Sequence, residues 1–523
     1  MKRDWILPAC AVFAACFFVP AAASAAPPAD TDAYVARALE TFGVPGLSLA
    51  IVENGKVAMA KGYGVRQVDT AKPVDAHSAF PIGSETKAIT SAALAILVDR
   101  KKLKWSDLVK DRLPGFQMYD PYVTAHMTVR DLLTHRSGLG LGEGDLMLFP
   151  DTNRSRADVV HALRYLKPVT GFREFYAYDN VLYIVAGALV EAVSGQSWED
   201  FVTENILKPV GMDDAHTNYD RAAANAVSLH VRTDGAFLGA GHQAVLGRGT
   251  AQTLAPAGGI NASAADLAKW MNVQLARGRL PDGRVLFSRA QADEMWKPVV
   301  VVPPDGPRHV EVLKPDMQDY ALGWYVEQYH GHRIVRHTGA VGGALASLYL
   351  IPDRNVGIAV TINSEDGMAM VAVLYHLIDR YLDVPPTDWI AVLKKSQMQS
   401  DARAVATMKK RPKPDAAHGA KPSLTISAYA GTYQDPWYGS MTIRERGPGK
   451  LWIIFDRTPG MEGALEPVAG EKFRTRWSDK SIEDAYVDFA LKDGKVTGAT
   501  MAVISPVADF SSDYQDLHFT RAN

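Results

Sequence analysis

Runs of apolar residues mark strands at both ends of the first 385 residues. The segment "LSLAIVENGKVAMAKGYG" has two apolar stretches around Asn54-Gly55, a dipeptide that favours a β-hairpin. The segments "RIVRHTG", "ALASLYLIP" and "VGIAVTIN" near the other end predict three more strands, separated by Gly, Pro and Asp turns. Helical patterns lie between the two sets. This order predicts one antiparallel sheet, with its edges from both chain ends and a helical subdomain beside it.

Two of the predicted helices have recognisable starts. Thr128 precedes Asp131 by three residues in "MTVRDLL", and Ser263 precedes Asp266 by three residues in "NASAADLAKW". Both patterns resemble a capping box with Asp in place of Glu. We therefore expect a helix to begin at each of these positions.

The pattern changes after residue 385. Residues 386–422 are predicted as a helix and a basic linker rich in Pro and Ala, because the stretch from Lys394 to Pro422 has no sustained apolar face. Residues 423–523 contain short alternating segments such as "SMTIRER", "LWIIF" and "AYVDFALKDGK", which fit a barrel or sandwich. The predicted fold is α/β (α+β): an antiparallel sheet flanked by helices over 31–385, followed by a small all-β barrel.

Composition limits the function classes. A chain of 523 residues with 47% hydrophobic and 22% charged residues is typical of a globular protein with more than one domain. The 56 Lys and Arg residues nearly balance the 58 Asp and Glu residues, so no polyanionic partner such as nucleic acid is indicated.

The N-terminus is predicted to be an export signal, residues 1–26. Lys2 and Arg3 precede the apolar stretch "WILPACAVFAACFFVP", and small residues follow, with cleavage expected after Ala25 or Ala26. This places the mature chain in the periplasm or outside the cell. An alternative makes Cys16 a lipid-bearing first residue, although Phe13 fits that pattern poorly. No later stretch has the roughly 18 uninterrupted apolar residues that span a bilayer.

Both cysteines of the chain, Cys10 and Cys16, lie in this signal. The mature chain therefore has no disulfide, no thiol nucleophile and no thiolate metal site.

A serine and a lysine stand three residues apart in "SETKAITSAALAIL". On a helix, Ser84 and Lys87 face the same way, and the aliphatic residues that follow predict that this helix enters a core. Burial lowers the pKa of a lysine, which can then act as a base toward a weak hydroxyl nucleophile. Ser-x-x-Lys also arises by chance in a chain of this length. The pair alone is therefore also compatible with a solvated lysine that has no catalytic role.

Two further groups lie far along the chain. Tyr178 and Asn180 precede the long apolar stretch "VLYIVAGALVEAV", where a packed ring and a turn former would also be ordinary. The second group lies at a Gly-rich strand and comprises His337, Thr338, Gly339 and Ala340. By itself this group is compatible with a structural histidine.

In this order the three motifs resemble the serine β-lactamase and penicillin-binding-protein family. The resemblance is to the branch that contains class C β-lactamases, D-Ala-D-Ala carboxypeptidases, D-aminopeptidases and related esterases. Ser-x-x-Lys, Tyr-x-Asn and His-Thr-Gly carry it, together with "MTVRDLLTHRSGLG", "PAGGINASAADLAKW" and "YALGWYV". It extends over essentially residues 31–385.

The resemblance implies a role for each motif. Ser84 would be acylated, while Lys87 and Tyr178 would share the proton transfers. Asn180 would bind the substrate amide and the lysine, and the backbone N–H groups of Ser84 and Ala340 would form an oxyanion hole. The side that receives the leaving part of the substrate would be lined by His337, Thr338 and Gly339. The resemblance implies neither a metal nor an organic cofactor.

Two departures from the family pattern affect the expected activity. There is no Ser-Asp-Asn triplet and no evident deacylating Glu, so Tyr178 is the candidate for activating the deacylating water. His337 stands where Lys is commoner, and a neutral imidazole attracts a substrate carboxylate less than an ammonium does. We therefore expect hydrolysis of amides or esters of peptide-like substrates. The alternatives are a class C-like β-lactamase, a carboxylesterase, or a penicillin-binding-like receptor without catalysis.

The last hundred residues, with "YAGTYQDPWYGSMTI", resemble the lipocalin-like domain of some family members. Such a domain could cover the mouth of the active site through Trp437 and Tyr438. The alternative is that both rings are core or turn residues.

Overall fold

The computed structural model describes residues 26–217, 225–247, 252–303, 315, 317–410 and 421–522. The predicted signal, with both cysteines, lies outside the described residues apart from Ala26.

Twelve strands lie in the described residues before the linker. Their bounds are β1 (Gly46–Glu53), β2 (Lys56–Gly64), β3 (Phe80–Pro81), β4 (His230–Arg232), β5 (Gln243–Val245), β6 (Asn261–Ala262), β7 (Val300–Val301), β8 (Gln318–Tyr320), β9 (Tyr325–Tyr329), β10 (His332–Val341), β11 (Ala344–Ile351) and β12 (Val356–Ile362).

Thirteen α-helices lie in the described residues. Their bounds are α1 (Thr31–Phe42), α2 (Thr86–Asp99), α3 (Val109–Arg112), α4 (Pro121–His126), α5 (Arg156–Ala162), α6 (Val181–Ser194), α7 (Trp198–Val202), α8 (Lys208–Val210), α9 (Ala255–Gly258), α10 (Ala264–Leu275), α11 (Arg289–Met295), α12 (Gly367–Tyr381) and α13 (Trp389–Lys410).

The main sheet is antiparallel, as predicted, and has the strand order β2-β1-β12-β11-β10-β9-β8-β7. The β1–β2 hairpin turns at Asn54 and Gly55, whose φ angles of 51° and 76° suit this dipeptide. One detail of the prediction is wrong: β12, the last strand of this sheet, pairs with β1 in its interior, and the far edge is β7. The first strand of the sheet in sequence, β1, is therefore hydrogen-bonded to the last, β12.

Side chains of β1 alternate between two cores. Leu49 and Ile51 pack with α1 and α12 on one face, whereas Ala50 and Val52 belong to the core that contains α2, α6 and α10 on the other. This period of two is what an internal strand with both faces covered requires. In this second core, α2 carries Lys87 and α6 begins directly after Asn180.

The two predicted helix starts have different outcomes. Ser263 and Asp266 form a full capping box at the start of α10. Thr128 and Asp131 also exchange hydrogen bonds, but only the single 3-10 turn Asp131–Leu133 follows. The predicted helix is absent there because Asp131 also binds Arg136 and Arg173 and the backbone reverses at His135, whose φ is 52°.

The segment after residue 385 is more helical than its composition indicated, because α13 extends to Lys410. A closed antiparallel barrel follows. Its strands are β13 (Gly431–Asp435), β14 (Gly439–Glu445), β15 (Leu451–Phe455), β16 (Glu462–Ala469), β17 (Lys472–Trp477), β18 (Ala485–Lys492), β19 (Lys495–Val503) and β20 (His518–Arg521).

Aromatic rings fill the barrel interior. Phe473 and Phe489 pack edge to face at 5.2 Å between ring centroids, and Phe455 lies 5.7 Å from Trp477 and 5.9 Å from Phe519. These rings are buried. The inside of the barrel is thus a packed core.

Within the described ranges, no single helix is long and apolar enough to cross a membrane. The segments Val181–Ser194 and Trp198–Val210 are long and apolar enough only when they are taken together, and the chain bends by 78° between them.

Candidate active site

Ser84 and Lys87 face each other, as their spacing predicts. Ser84 lies in the 3-10 turn Gly83–Glu85, which continues directly into α2, and Lys87 lies in the first turn of that helix. Lys87 Nζ is 2.9 Å from Ser84 Oγ. The lysine is fully buried, while the serine is half-buried.

In the part of the chain that the structure describes, three oxygen atoms contact the lysine amine. Besides Ser84 Oγ, Lys87 Nζ donates to Asn180 Oδ1 at 2.7 Å and to the Ala257 carbonyl oxygen at 3.0 Å. Burial lowers the pKa of Lys87 to about 7, and the charge of Asp145 acts in the opposite direction. A large fraction of the lysine is therefore a neutral amine near pH 7, with a lone pair available for the serine proton.

Tyr178 and Asn180 approach the same point from the start of α6, where Asn180 is the N-cap. The ring centroid of Tyr178 lies 4.8 Å from Lys87 Nζ, and its phenol is a hydrogen-bond neighbour of Ser84. Burial raises the pKa of Tyr178 well above its usual value. The phenol thus stays protonated in the free protein, which favours Lys87 as the initial base and Tyr178 as a proton relay.

His337 lies on β10 and is buried. Its Nδ1 is 2.6 Å from the Thr338 carbonyl oxygen, and its Nε2 is 2.9 Å from Tyr320 Oη. Because a carbonyl oxygen only accepts, Nδ1 carries the proton and Nε2 accepts from the tyrosine. Burial, assisted by the charge of Lys87, holds the pKa of His337 well below its usual value. The imidazole is therefore neutral.

The predicted oxyanion donors lie on either side of a close backbone contact. A Cβ on Gly83 would lie 2.5 Å from Ala340 N, and a Cβ on Gly339 would lie 3.1 Å from Ser84 N and 1.8 Å from the Ile82 carbonyl oxygen. Gly83 also has a φ of +50°. Only glycine fits at both positions, and this fit brings the N–H groups of Ser84 and Ala340 to the same region.

The structure brings together all the residues that the sequence motifs single out: Ser84, Lys87, Tyr178, Asn180, His337, Thr338, Gly339 and Ala340. Thr338 is half-buried on β10 beside His337.

Several residues of the site were not predicted from the sequence. Asp145 accepts a hydrogen bond from Asn180 Nδ2 at 2.9 Å, and Tyr320 binds His337. His135 packs against Tyr178 with ring centroids 4.2 Å apart and the ring planes tilted by 33°. "LLTHRSGLG" and "YALGWYV" contain His135 and Tyr320, so these stretches could have indicated them. No sequence pattern distinguished Asp145.

Neither proposed aromatic of the barrel is exposed. Trp437 and Tyr438 are 8% and 1% accessible, and the side-chain oxygen Oδ1 of Asp435 accepts hydrogen bonds from both of their backbone N–H groups at 2.9 Å. They are core and turn residues, which was the alternative interpretation.

No group of three or more His, Cys, Asp or Glu side chains that could hold a metal ion occurs in the part of the chain that the structure describes.

A serine beside a buried lysine, on an antiparallel sheet with a helical subdomain, is typical of a class of serine enzymes. The family model described as Beta-lactamase matches residues 31–383, and the chain belongs to that family. It is a serine hydrolase of the family. A model described as a domain of unknown function, DUF3471, matches residues 415–521.

Curated relatives share much of the chain's length. Unguisins hydrolase ungD' of Aspergillus campestris is 30% identical over 439 residues, which cover 80% of this chain and 78% of the relative. Protein flp of Staphylococcus aureus is 26% identical over 340 residues, which cover 64% of this chain and 62% of that protein.

Solved structures share the fold across both domains. The octameric penicillin-binding protein homologue from Pyrococcus abyssi aligns with a TM-score of 0.58 at 20% identity, over 90% of this chain and 97% of that one. SurE aligns with a TM-score of 0.52 at 23% identity, over 94% and 99%.

Proposed function

We propose that the protein cleaves amide or ester bonds of peptide-like substrates through an acyl-enzyme on Ser84, as D-Ala-D-Ala carboxypeptidases and D-aminopeptidases do. The observation that carries the proposal is the contact of 2.9 Å between Ser84 Oγ and the buried amine of Lys87, whose pKa is lowered to about 7. A desolvated amine at this distance is the base that a serine hydroxyl needs.

The proton transfers follow from these contacts. Neutral Lys87 takes the hydroxyl proton as Ser84 Oγ bonds to the substrate carbonyl carbon, and the N–H groups of Ser84 and Ala340 stabilise the resulting oxyanion. Tyr178 lies against both Ser84 and Lys87, so its phenol donates a proton to the departing amine or alkoxide and regains one from Lys87. A water then attacks the ester, and the same groups take its proton and return it to Ser84 Oγ.

The neutral state of His337 supports a substrate class. Both ring nitrogens are engaged, by Thr338 and Tyr320, so this residue offers no positive charge to a carboxylate on the leaving group. A substrate whose leaving group is uncharged fits beside this neutral side chain. Within the proposed function this favours D-aminopeptidase-type amides and esters over D-Ala-D-Ala peptides and β-lactams, both of which carry a carboxylate.

The relative from Aspergillus campestris is named a hydrolase, and similarity over 80% of the chain supports a hydrolytic reaction here.

We further propose that the enzyme is exported to the periplasm or the medium. The basic start, apolar stretch and small residues up to Ala26 support this location. Intact mass of the protein purified from its producing cell tests it: cleavage after Ala25 or Ala26 is expected. An intact Met1 contradicts export by this signal, and a diacylglycerol adduct on Cys16 supports the lipoprotein alternative.

A substrate panel with a matched variant tests the reaction. Nitrocefin, D-Ala-D-Ala peptides, D-amino-acid amides and p-nitrophenyl esters are compared with the purified protein and its Ser84→Ala variant. We expect turnover of amides or esters, loss of turnover in the variant, and a fluorophosphonate adduct on Ser84 by mass spectrometry. A nitrocefin rate far above the others contradicts the substrate class, and labelling of another residue contradicts the nucleophile.

A further inference from the structure

The loop between β19 and β20 of the C-terminal barrel reaches the catalytic residues. The Ser511 hydroxyl donates to Asp145 Oδ2 at 2.7 Å, and Asn180 Nδ2 donates to the same oxygen at 2.9 Å. Asn180 Oδ1 in turn accepts from Lys87 at 2.7 Å, and Lys87 contacts Ser84 at 2.9 Å. A continuous series of hydrogen bonds therefore joins the barrel to the nucleophile.

Asp513 holds the backbone on both sides of Asp145. Its Oδ2 accepts from Gly144 N at 2.8 Å, and its Oδ1 accepts from Leu146 N at 2.9 Å. Asp513 is fully buried, so these two bonds are made in a region from which water is excluded. The 3-10 turn that carries Asp145 is thus fixed by the barrel at both its backbone and its side chain.

Phe510 of the same loop packs on Tyr178, edge to face, with ring centroids 5.9 Å apart. Gly142 makes this approach possible. It has a φ of +71°, and a Cβ on it would lie 2.6 Å from the Phe510 ring; its N–H donates to the Tyr178 carbonyl oxygen at 2.9 Å. The loop therefore contacts both the Lys87 and the Tyr178 sides of the site.

We infer that the barrel loop of residues 509–513 is part of the active site, in which Ser511 and Asp513 are positioning residues that orient Lys87 through Asp145 and Asn180. Asp145 accepts from the amide nitrogen of Asn180, which leaves the amide oxygen toward Lys87. Ser511 and Asp513 fix the carboxylate that sets this orientation. The packed interior of the barrel is consistent with a domain that acts through its surface loops.

The inference rests on the proposed function of Ser84 and Lys87. The charged groups that face Asp145 are Lys87 of α2 and, from the barrel loop, Asp509 and Asp513. Burial raises the pKa of Asp145 to about 7, and the Ser511 hydrogen bond opposes this rise. Removing the hydroxyl leaves Asp145 less ionised, which weakens its support for the ammonium form of Lys87.

The test compares Ser511→Ala with Ser512→Ala in the full chain. In the part of the chain that the structure describes, the Ser512 hydroxyl makes no hydrogen bond to the catalytic domain. With the best ester or amide of the substrate panel, we expect kcat of Ser511→Ala to fall about tenfold at little change in KM, because a buried carboxylate loses a donor. The acidic limb of its pH–rate profile moves to lower pH, while Ser512→Ala resembles wild type.

A conservative variant and a second site separate positioning from a general loss of structure. Ser511→Thr retains the hydroxyl and should restore most of kcat, and Asp513→Asn should lower kcat measured at equal folded fraction, because an amide nitrogen cannot accept from the N–H of Gly144 or Leu146. If both Ser511→Ala and Asp513→Asn keep wild-type kcat and pH profile, the loop has no such role and the inference is wrong. That result leaves the proposed function intact, since it is judged separately by Ser84→Ala and by the adduct on Ser84.

Discussion

Tyr320 Oη lies 2.9 Å from His337 Nε2, on the side of the imidazole opposite the Thr338 carbonyl. The two contacts fix one tautomer of a buried ring and remove its capacity to carry charge. A position where the family commonly has a cationic lysine is thus occupied by a neutral hydrogen-bonding group.

Replacing His337 with Lys tests what this neutrality does to selectivity. An ammonium on β10 attracts a carboxylate, so we expect His337→Lys to lower KM for a D-Ala-D-Ala peptide relative to the corresponding D-amino-acid amide. The ratio of kcat/KM for the two substrates measures the effect. Tyr320→Phe is the control, because it removes a partner of the imidazole without adding charge; an equal ratio in His337→Lys and wild type contradicts the argument.

The pKa of Lys87 predicts the pH dependence. In the proposed mechanism the neutral amine is the active form, and burial lowers the pKa of this lysine to about 7. With a p-nitrophenyl ester, kcat/KM should rise with pH through about 7 and level off above it. Lys87→Arg stays protonated and should lose about 10²- to 10⁴-fold in kcat/KM across the whole range. An acidic limb centred two or more pH units away is incompatible with Lys87 as the base.

Gly142→Ala should separate the barrel loop from Tyr178. A Cβ at Gly142 would lie 2.6 Å from the Phe510 ring, so the loop has to move away. Gly494→Ala is a matched control because Gly494 has the same φ of +71°, but a Cβ on it would have no other atom within 4 Å. Both variants incur a backbone strain of about 1 kcal/mol. We expect only Gly142→Ala to lower kcat/KM, measured at equal folded fraction; equal activity of the two variants shows that the contact with Phe510 does not affect catalysis.

The buried carboxylate of Asp131 predicts a stability effect away from the nucleophile. Asp131 binds Arg136 at 2.9 Å and Arg173 at 2.6 Å. Burial alone raises its pKa, but the hydrogen bonds from Arg173 and Thr128 outweigh it and hold the pKa below the usual value. We expect Asp131→Asn to lower the free energy of unfolding by about 3 kcal/mol at pH 7.

This contribution has a defined pH window. Because the pKa of Asp131 is lower in the folded state, its stabilisation is present above the unfolded value of 3.8 and is lost as the pH falls through the folded value. Urea unfolding of the variant at pH 7 and at low pH measures both effects. Arg37→Gln, which breaks an exposed pair with Asp388, should change stability by less than about 1 kcal/mol. A loss no larger in Asp131→Asn than in Arg37→Gln contradicts the prediction.

Short-range sequence patterns were sufficient to predict the antiparallel sheet and the three sequence motifs. The Asn54-Gly55 turn and the strand runs have short-range signatures, and the three-residue spacing of Ser84 and Lys87 determines their contact once α2 forms. The interior position of β12 depends on pairing with β1 across some 300 residues, which no local pattern encodes. At Thr128, competition of Arg136 and Arg173 for the Asp131 carboxylate is a tertiary effect, so the capping signature could not reveal that a helix is absent.

The contacts of the barrel with the site could not be predicted from the sequence for a related reason. Trp437 and Tyr438 were the conspicuous candidates because they are large, yet large rings are also what a small barrel needs for its interior. Ser511 and Asp513 belong to an ordinary polar loop, and only the docking of the two domains gives these side chains their partners.

The partners Asp145 and Ser511 are separated by 366 positions in the chain. Every motif of the site is synthesised before the loop of residues 509–513. A polypeptide clipped before residue 509 therefore contains Ser84 and Lys87 but lacks the contacts of Ser511 and Asp513 with the turn that carries Asp145.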